Sequence, residues 1–321
     1  MGDNQYIYAV ARIRTKELTL FSKQVIDQLM ACKTYNDVLR LLTDKGWDCE
    51  GKSPEEFLAA EREKTWDLMR ELVDDMSVFN VFLYANDFHN LKAAIKQVCV
   101  VDDVPNVFMR NATVGEDLCM KAVKEKDFSI LPENMREAAA EAYEVQLKER
   151  GSQMCDVIVD RAALEAIYKA GKESKNPLFA GYAELKCVAD DIKTAIRGCK
   201  AGKSLEFFKR AFAPCDTLDL KALTDAALSG IDAVYDYLQT TQYADAVPAI
   251  KESLSSFEKW CDDRMMAHLR PEKYNPFTIA PLAAYILARE NEIKSVRIIL
   301  SGKLNDLPED TIRERLREMY V

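Results

Sequence analysis

One phrase occurs twice in this chain, Ile196-Arg197-x4-Gly202-Lys203 and again Val296-Arg297-x4-Gly302-Lys303. An Ile-Lys pair stands just upstream of each copy, at Ile192-Lys193 and Ile293-Lys294. A third, weaker copy begins Asn90-Leu91-Lys92, so that Lys92, Lys193 and Lys294 fall at equal spacing. A phrase repeated at long, regular intervals is the mark of one supersecondary unit used several times, here a helical unit used three times.

Composition narrows the fold. Eleven glycines and ten prolines in 321 residues are well below the usual shares of ~7% and ~5%. A doubly wound α/β chain needs glycines at its tight turns, so the scarcity favours helices with short connections. Leu18, Phe21, Val25, Ile26 and Leu29 share a helical face, and Val38, Leu41 and Leu42 continue the pattern after Lys33-Thr34,. Ser53-Pro54-Glu55-Glu56 reads as a helix start,, opening a run to about Met76 with Phe57, Trp66, Met69 and Leu72 on its apolar side. Met76–Tyr84 is apolar enough for a strand but lacks alternation, which favours helix,. Gly202 and Gly302 are expected to take the left-handed conformation that ends a helix, with Arg197, Lys200 and Arg297 at the negative end of its dipole,.

The expected fold is all-α, with three quasi-repeated helical units over residues 1–112, 113–213 and 214–303. Residues 304–321 form a last helix, because Leu307-Pro308-Glu309-Asp310 echoes the unit opening Leu131-Pro132-Glu133-Asn134. Packed beside the first unit, that helix would close the three into a funnel-like ring.

Several function classes fall away. A net charge of −9 opposes nucleic-acid binding, which needs a cationic face. No apolar run reaches the length of a spanning helix, and Met1-Gly2-Asp3-Asn4-Gln5 carries neither a secretion signal nor, with Tyr6, a myristoylation motif,. Nine cysteines with no C-x-x-C pair read as reduced, mostly buried residues of a cytosol-like compartment,. Gly198–Ser204 approaches a phosphate-binding G-x-x-x-x-G-K-[ST] loop but is one residue short and follows a helix,. The acid pairs Asp74-Asp75, Asp102-Asp103, Asp190-Asp191 and Asp262-Asp263 lack the third carboxylate of the D-D-x-x-D motif that holds Mg²⁺ in prenyl synthases,. His89 and His268 stand in no ligand or catalytic motif,. No catalytic residue, cofactor or metal site is expected.

Two stretches carry a resemblance. One runs from Pro281-Leu282-Ala283-Ala284-Tyr285 through Arg289-Glu290-Asn291-Glu292-Ile293-Lys294 to Ser301-Gly302-Lys303, with Ile312-Arg313-Glu314-Arg315-Leu316 and Tyr320-Val321 beyond it. The other is Tyr8–Arg14 followed by Leu39–Trp47. Both resemble the C subunits of bacterial and archaeal V/A-type rotary ATPases, relatives of the d subunit in the eukaryotic vacuolar enzyme. Asp156–Arg161 and Ile192–Ser204 carry the resemblance into the middle repeat.

That resemblance implies a non-catalytic rotor component, peripheral on the cytoplasmic face of the membrane. It would be the socket between the D and F subunits of the central shaft and the membrane proteolipid ring, coupling ATP turnover to ion translocation. Lys193, Glu292, Lys294, Arg297, Arg313 and Arg315, charged residues near the repeat ends, are expected to include interface contacts, in competition with ion pairs inside the chain. A general helical-repeat scaffold for protein binding is the alternative, with a prenyl-synthase-type enzyme further behind.

Overall fold

The computed structural model describes residues 6–100, 107–148 and 153–321. Asp102-Asp103 and the first five residues lie outside them. Among the described residues every regular element is helical. The chain opens with α1 (Ile7–Glu17), α2 (Lys23–Ala31), α3 (Tyr35–Asp44) and α4 (Pro54–Leu72). It continues through α5 (Asn80–Val100), α6 (Glu116–Glu125), α7 (Glu133–Lys148) and α8 (Gln153–Glu173). Then come α9 (Pro177–Lys200), α10 (Leu205–Ala211), α11 (Leu220–Ser229) and α12 (Ile231–Gln239). The last four are α13 (Val247–Glu252), α14 (Leu254–Leu269), α15 (Ala280–Leu304) and α16 (Glu309–Arg315).

These residues group into two compact units. One joins the two ends of the chain, up to Met76 and from Ala249 onward. In its core Phe21, Met30, Trp47 and Phe57 meet Ile293, Val296 and Leu300 of α15, with Ile312 and Leu316 from the end of the chain. The other unit is Ser77–Pro248. There Phe88, Leu91 and Ile95 of α5 pack with Met135 and Ala139 of α7 and with Ile158 and Val159 of α8. The three repeats are a division by sequence pattern, whereas the two units are a division by packing.

Local chemistry explains most helix ends. At Ser53 the hydroxyl accepts the Glu56 N–H at 3.3 Å while the Glu56 carboxylate accepts the Ser53 N–H at 2.7 Å. This reciprocal cap satisfies two donors that the first turn leaves open. α4 stops at Leu72 rather than Met76 because Val73 takes extended backbone (φ −133°, ψ 123°). A 3₁₀ turn over Met76–Phe79 then leads into α5, so the apolar stretch there is helical. The face read from Leu18 to Leu29 is interrupted: α1 ends at Glu17 and α2 begins at Lys23. The cause is tertiary, since the Phe21 N–H donates to the Glu292 carboxylate of α15 at 2.5 Å instead of to a carbonyl of its own helix.

The repeated Gly-Lys is corrected by one helical turn. Gly202 is left-handed (φ 61°), as expected, but Gly302 is not, and Asp306 (φ 51°) takes that conformation after α15. The Lys203 N–H donates to the Gly198 carbonyl at 2.9 Å, and the Leu307 N–H donates to the Gly302 carbonyl at the same distance. These are the same six-to-one bond of a Schellman stop. Gly198 therefore pairs with Gly302, and Gly202 with Asp306. Both inner glycines lie beneath the short helix that follows, where a Cβ would overlap Phe208 of α10 or Ile312 of α16. Residues four apart lie on one helix face, which is why the shifted phrase looks regular in sequence.

Candidate functional site

In the Ser77–Pro248 unit a groove of about 570 Å³ opens between α5, α8, α9 and α10. Phe88, Leu164 and Ile167 are apolar residues in its lining. Lys92, Arg161, Lys186, Lys193, Arg197 and Lys203 line it with positive charge, against the carboxylates of Asp156, Asp160 and Asp190. A cationic excess here, on a chain of net charge −9, is a local arrangement rather than a reflection of composition.

Part of that charge is balanced inside the chain. Lys92 Nζ lies 2.6 Å from Asp160, and Lys193 Nζ 2.6 Å from Asp190. Arg161 pairs with Glu165 at 2.8 Å and donates to the Lys209 carbonyl at 3.0 Å. Burial works against the charged form of Asp190, but Lys186, Lys193 and Arg197 outweigh it and hold its carboxyl below the ordinary 3.8. Lys186, Arg197 and Lys203 make no ion pair among the described residues, Lys203 lying over the Phe207 ring at 5.2 Å. Three cations thus remain available to an anionic partner. The arrangement offers electrostatic recognition: no nucleophile is paired with a base in it, and His89 hydrogen-bonds through Nε2 to the Val107 carbonyl at 2.8 Å.

The six residues singled out in the sequence have different fates. Lys193 lines the groove. Lys294 and Arg317 share Asp262, at 2.6 and 2.9 Å. Arg313 is paired twice, with Asp27 of α2 at 2.8 Å and Glu309 at 2.7 Å. Arg297 and Arg315 are exposed and have no ion partner among the described residues. Glu292 is fully buried, with its carboxylate engaged by Arg289 and the Phe21 N–H. It presents no surface to a partner in this conformation. The one-turn correction also changes which cations are equivalent, since pairing Gly198 with Gly302 sets Lys193 beside Arg297 rather than Lys294.

Sequence reasoning did not single out Lys92, Arg161, Lys186, Arg197 or Lys203 as partner-facing. A signal existed, because Lys92 and Lys193 share the repeat spacing and Arg197 and Lys203 belong to the repeated phrase. A second internal series is also visible. Asn90 and Asp191, each directly before a Leu-Lys or Ile-Lys pair, are fully buried. Asn90 accepts the Met109 N–H at 2.7 Å, and Asp191 the Ala213 N–H at 2.9 Å. Each holds the loop that leads into the next helical unit.

The described residues form an all-helical protein with a groove in which cations outnumber carboxylates. The chain belongs to the ATP synthase (C/AC39) subunit family, whose model matches residues 9–315. It is similar to the C subunit of the V-type sodium ATPase of Enterococcus hirae, with 23% identity over 96% of this chain and 97% of the relative. It is also similar to the C subunits of the A-type ATP synthases of Thermococcus kodakarensis (22% identity; 98% and 91% covered) and Methanocaldococcus jannaschii (24%; 97% and 86%). The chain is thus a non-catalytic component of a V/A-type rotary ATPase. No helix among the described residues is long and apolar enough to cross a membrane.

Proposed function

We propose that this protein is the socket of the rotor, joining the D and F subunits of the central shaft to the membrane proteolipid ring. Seated peripherally on the cytoplasmic face, it would pass torque between them and so couple ATP turnover to ion movement. The observation that carries the reading is family membership over nearly the whole chain. Helices packed at the density of a protein interior resist the shear that a torque-bearing part must withstand.

Within this reading the cationic groove receives an acidic end of the shaft. Charge complementarity of this kind sets register and encounter rate more than affinity. Lys186, Arg197 and Lys203 are the proposed contacts in the groove, with the paired Lys193 beside them. On the other unit Arg297 and Arg315 are better placed than Lys294 and Arg313, whose charges are met inside the chain.

A tagged pull-down from mildly solubilised membranes, with partners identified by mass spectrometry, tests the proposal. Recovery of the shaft proteins and the proteolipid ring with an ATPase head is the expected result. A pool of the protein free of all of them would overturn it in favour of a general protein-binding scaffold.

A further inference from the structure

The stop chemistry of α9 does not account for the cations gathered at its end. With Gly198 set against Gly302, Arg197 corresponds to Ser301 and Lys203 to Leu307. The same six-to-one bond closes both helices, so closure requires no cation at either place. Nor do the carboxylates of the groove call for them. Asp160 has Lys92, Asp190 has Lys193, and Asp156 has Lys96 at 2.6 Å. Arg197 and Lys203 are surplus to the charge balance inside the chain.

Local geometry brings these two together. The Lys203 N–H donates to the Gly198 carbonyl at 2.9 Å, which returns the chain to the turn that carries Arg197. Phe207 and Phe208 of α10 lie against Gly198, where a Cβ would meet both rings. Lys203 Nζ sits over the Phe207 ring, and both residues line the groove with Arg197. Arg161 of α8 is anchored at this end. Its Nε bonds Glu165 at 2.8 Å, and one terminal nitrogen bonds the Lys209 carbonyl of α10 at 3.0 Å. Lys186, also without an ion pair among the described residues, lies roughly 16 Å further back along α9 and belongs to the other end.

We propose that the α10 end of the groove binds a phosphoanion, a diphosphate group free or carried by a nucleotide, through Arg197 and Lys203 with Arg161 beside them. A single carboxylate would leave positive charge unmatched, whereas a phosphate monoester already carries about −1.5 to −2 near neutral pH and a diphosphate more. The Arg197 guanidinium presents a fork matched to two phosphate oxygens, and Lys203 adds a point charge. A groove of about 570 Å³ falls within the ~300–1,000 Å³ that small ligands occupy. Gly198–Ser204 falls short of a phosphate-binding loop, whose grip is made by backbone N–H groups; here side chains supply the charge. Such a site stands apart from shaft docking, though a bound phosphoanion would occupy two of the cations assigned to the shaft.

Isothermal titration calorimetry of the purified intact protein, with inorganic pyrophosphate and with adenosine diphosphate, tests the site. Saturable one-to-one binding is expected. Arg197→Ala with Lys203→Ala should weaken it at least about tenfold. Lys52→Ala with Lys148→Ala removes the same charge from exposed ion pairs elsewhere and should leave it unchanged. Tighter binding of adenosine diphosphate than of pyrophosphate names a nucleotide as the ligand, and equal or weaker binding names the free anion; both uphold the site. No saturable binding of either probe, or an equal loss in the control variant, overturns it. Should the Arg197→Ala, Lys203→Ala protein not fold, competition on the wild type decides: sulfate must displace pyrophosphate, and acetate at equal ionic strength must not. The shaft subunits take no part in the titration, so failure here leaves the pull-down test of shaft docking untouched.

Discussion

Ile312 of α16 lies directly over Gly302 of α15, so closely that a Cβ on the glycine would overlap its side chain. Phe208 of α10 stands in the same relation to Gly198 of α9. These two contacts define the true register of the repeat. Because Ile312 and Phe208 are both fully buried, neither can swing aside at low cost. Gly302→Ala and Gly198→Ala should each destabilise by about 1–3 kcal/mol through overpacking, measured by urea unfolding. Gly202→Ala meets open space and should cost only about 1–2 kcal/mol, from its left-handed backbone. Unchanged stability in Gly302→Ala would show that Ile312 yields at this contact.

Asp191 offers a second test. Its carboxyl is pushed well above the ordinary 3.8, first by burial, against the Ala213 N–H that lowers it, with Asp190 adding to the rise. The folded state therefore holds a proton that the unfolded chain gives up, and stability declines as pH climbs above 3.8,. Asp191→Asn, which installs the amide already used at Asn90, should remove that decline. Comparing melting temperatures of the two proteins from pH 5 to about pH 8 gives the answer, and parallel curves would count against a proton on Asp191.

The neighbouring Asp190 has the opposite sign. Held below 3.8 by Lys186, Lys193 and Arg197 despite burial, it contributes stability that is complete above that value. The contribution is lost as pH falls below it. Acid titration monitored by circular dichroism should show a shallower acid limb for Asp190→Asn.

Arg289 is the cation that Glu292 and Glu61 share, and Lys64 also reaches Glu61, so Arg289→Leu strands the buried Glu292 carboxylate. A loss of about 3–5 kcal/mol is expected. The loss should be smaller near pH 5 than near pH 8, because the proton held by Glu292 then replaces part of the missing charge. Chemical denaturation at both pH values measures the difference. An equal loss at the two would show that Glu292 does not titrate between them.

Charge reversal separates the proposed contacts from helix-end charges. Arg197→Glu with Lys203→Glu should weaken binding to the shaft proteins and reduce its dependence on salt. Lys294→Glu, whose charge is already met by Asp262, should weaken it less. Co-purification across a salt series provides the measurement, and intact assembly of the double variant would exclude the groove as the docking surface.

The helix start at Ser53 was legible because a cap is a local matter of side-chain oxygen and nearby N–H,. Glu292 was not legible as an interior residue. α15 buries residues around most of its circumference, Arg289, Asn291 and Glu292 among them, so no polar stripe marks an outer face and its charges read as surface. The groove was half visible through Lys193 and the repeated phrase. Its other walls come from α5 and α8, which no spacing along α9 could announce.

Composition, capping residues and helical periodicity were enough to establish an all-helical chain, since each depends on interactions within a few residues. Packing alone chose the register of the repeats, the charges that meet inside the chain and those left for a partner. The physical reason is range. Phe21 with Glu292 and Glu61 with Arg289 are paired through a shared core, where burial changes what a charge costs, and neither burial nor its cost can be read from neighbours in the chain.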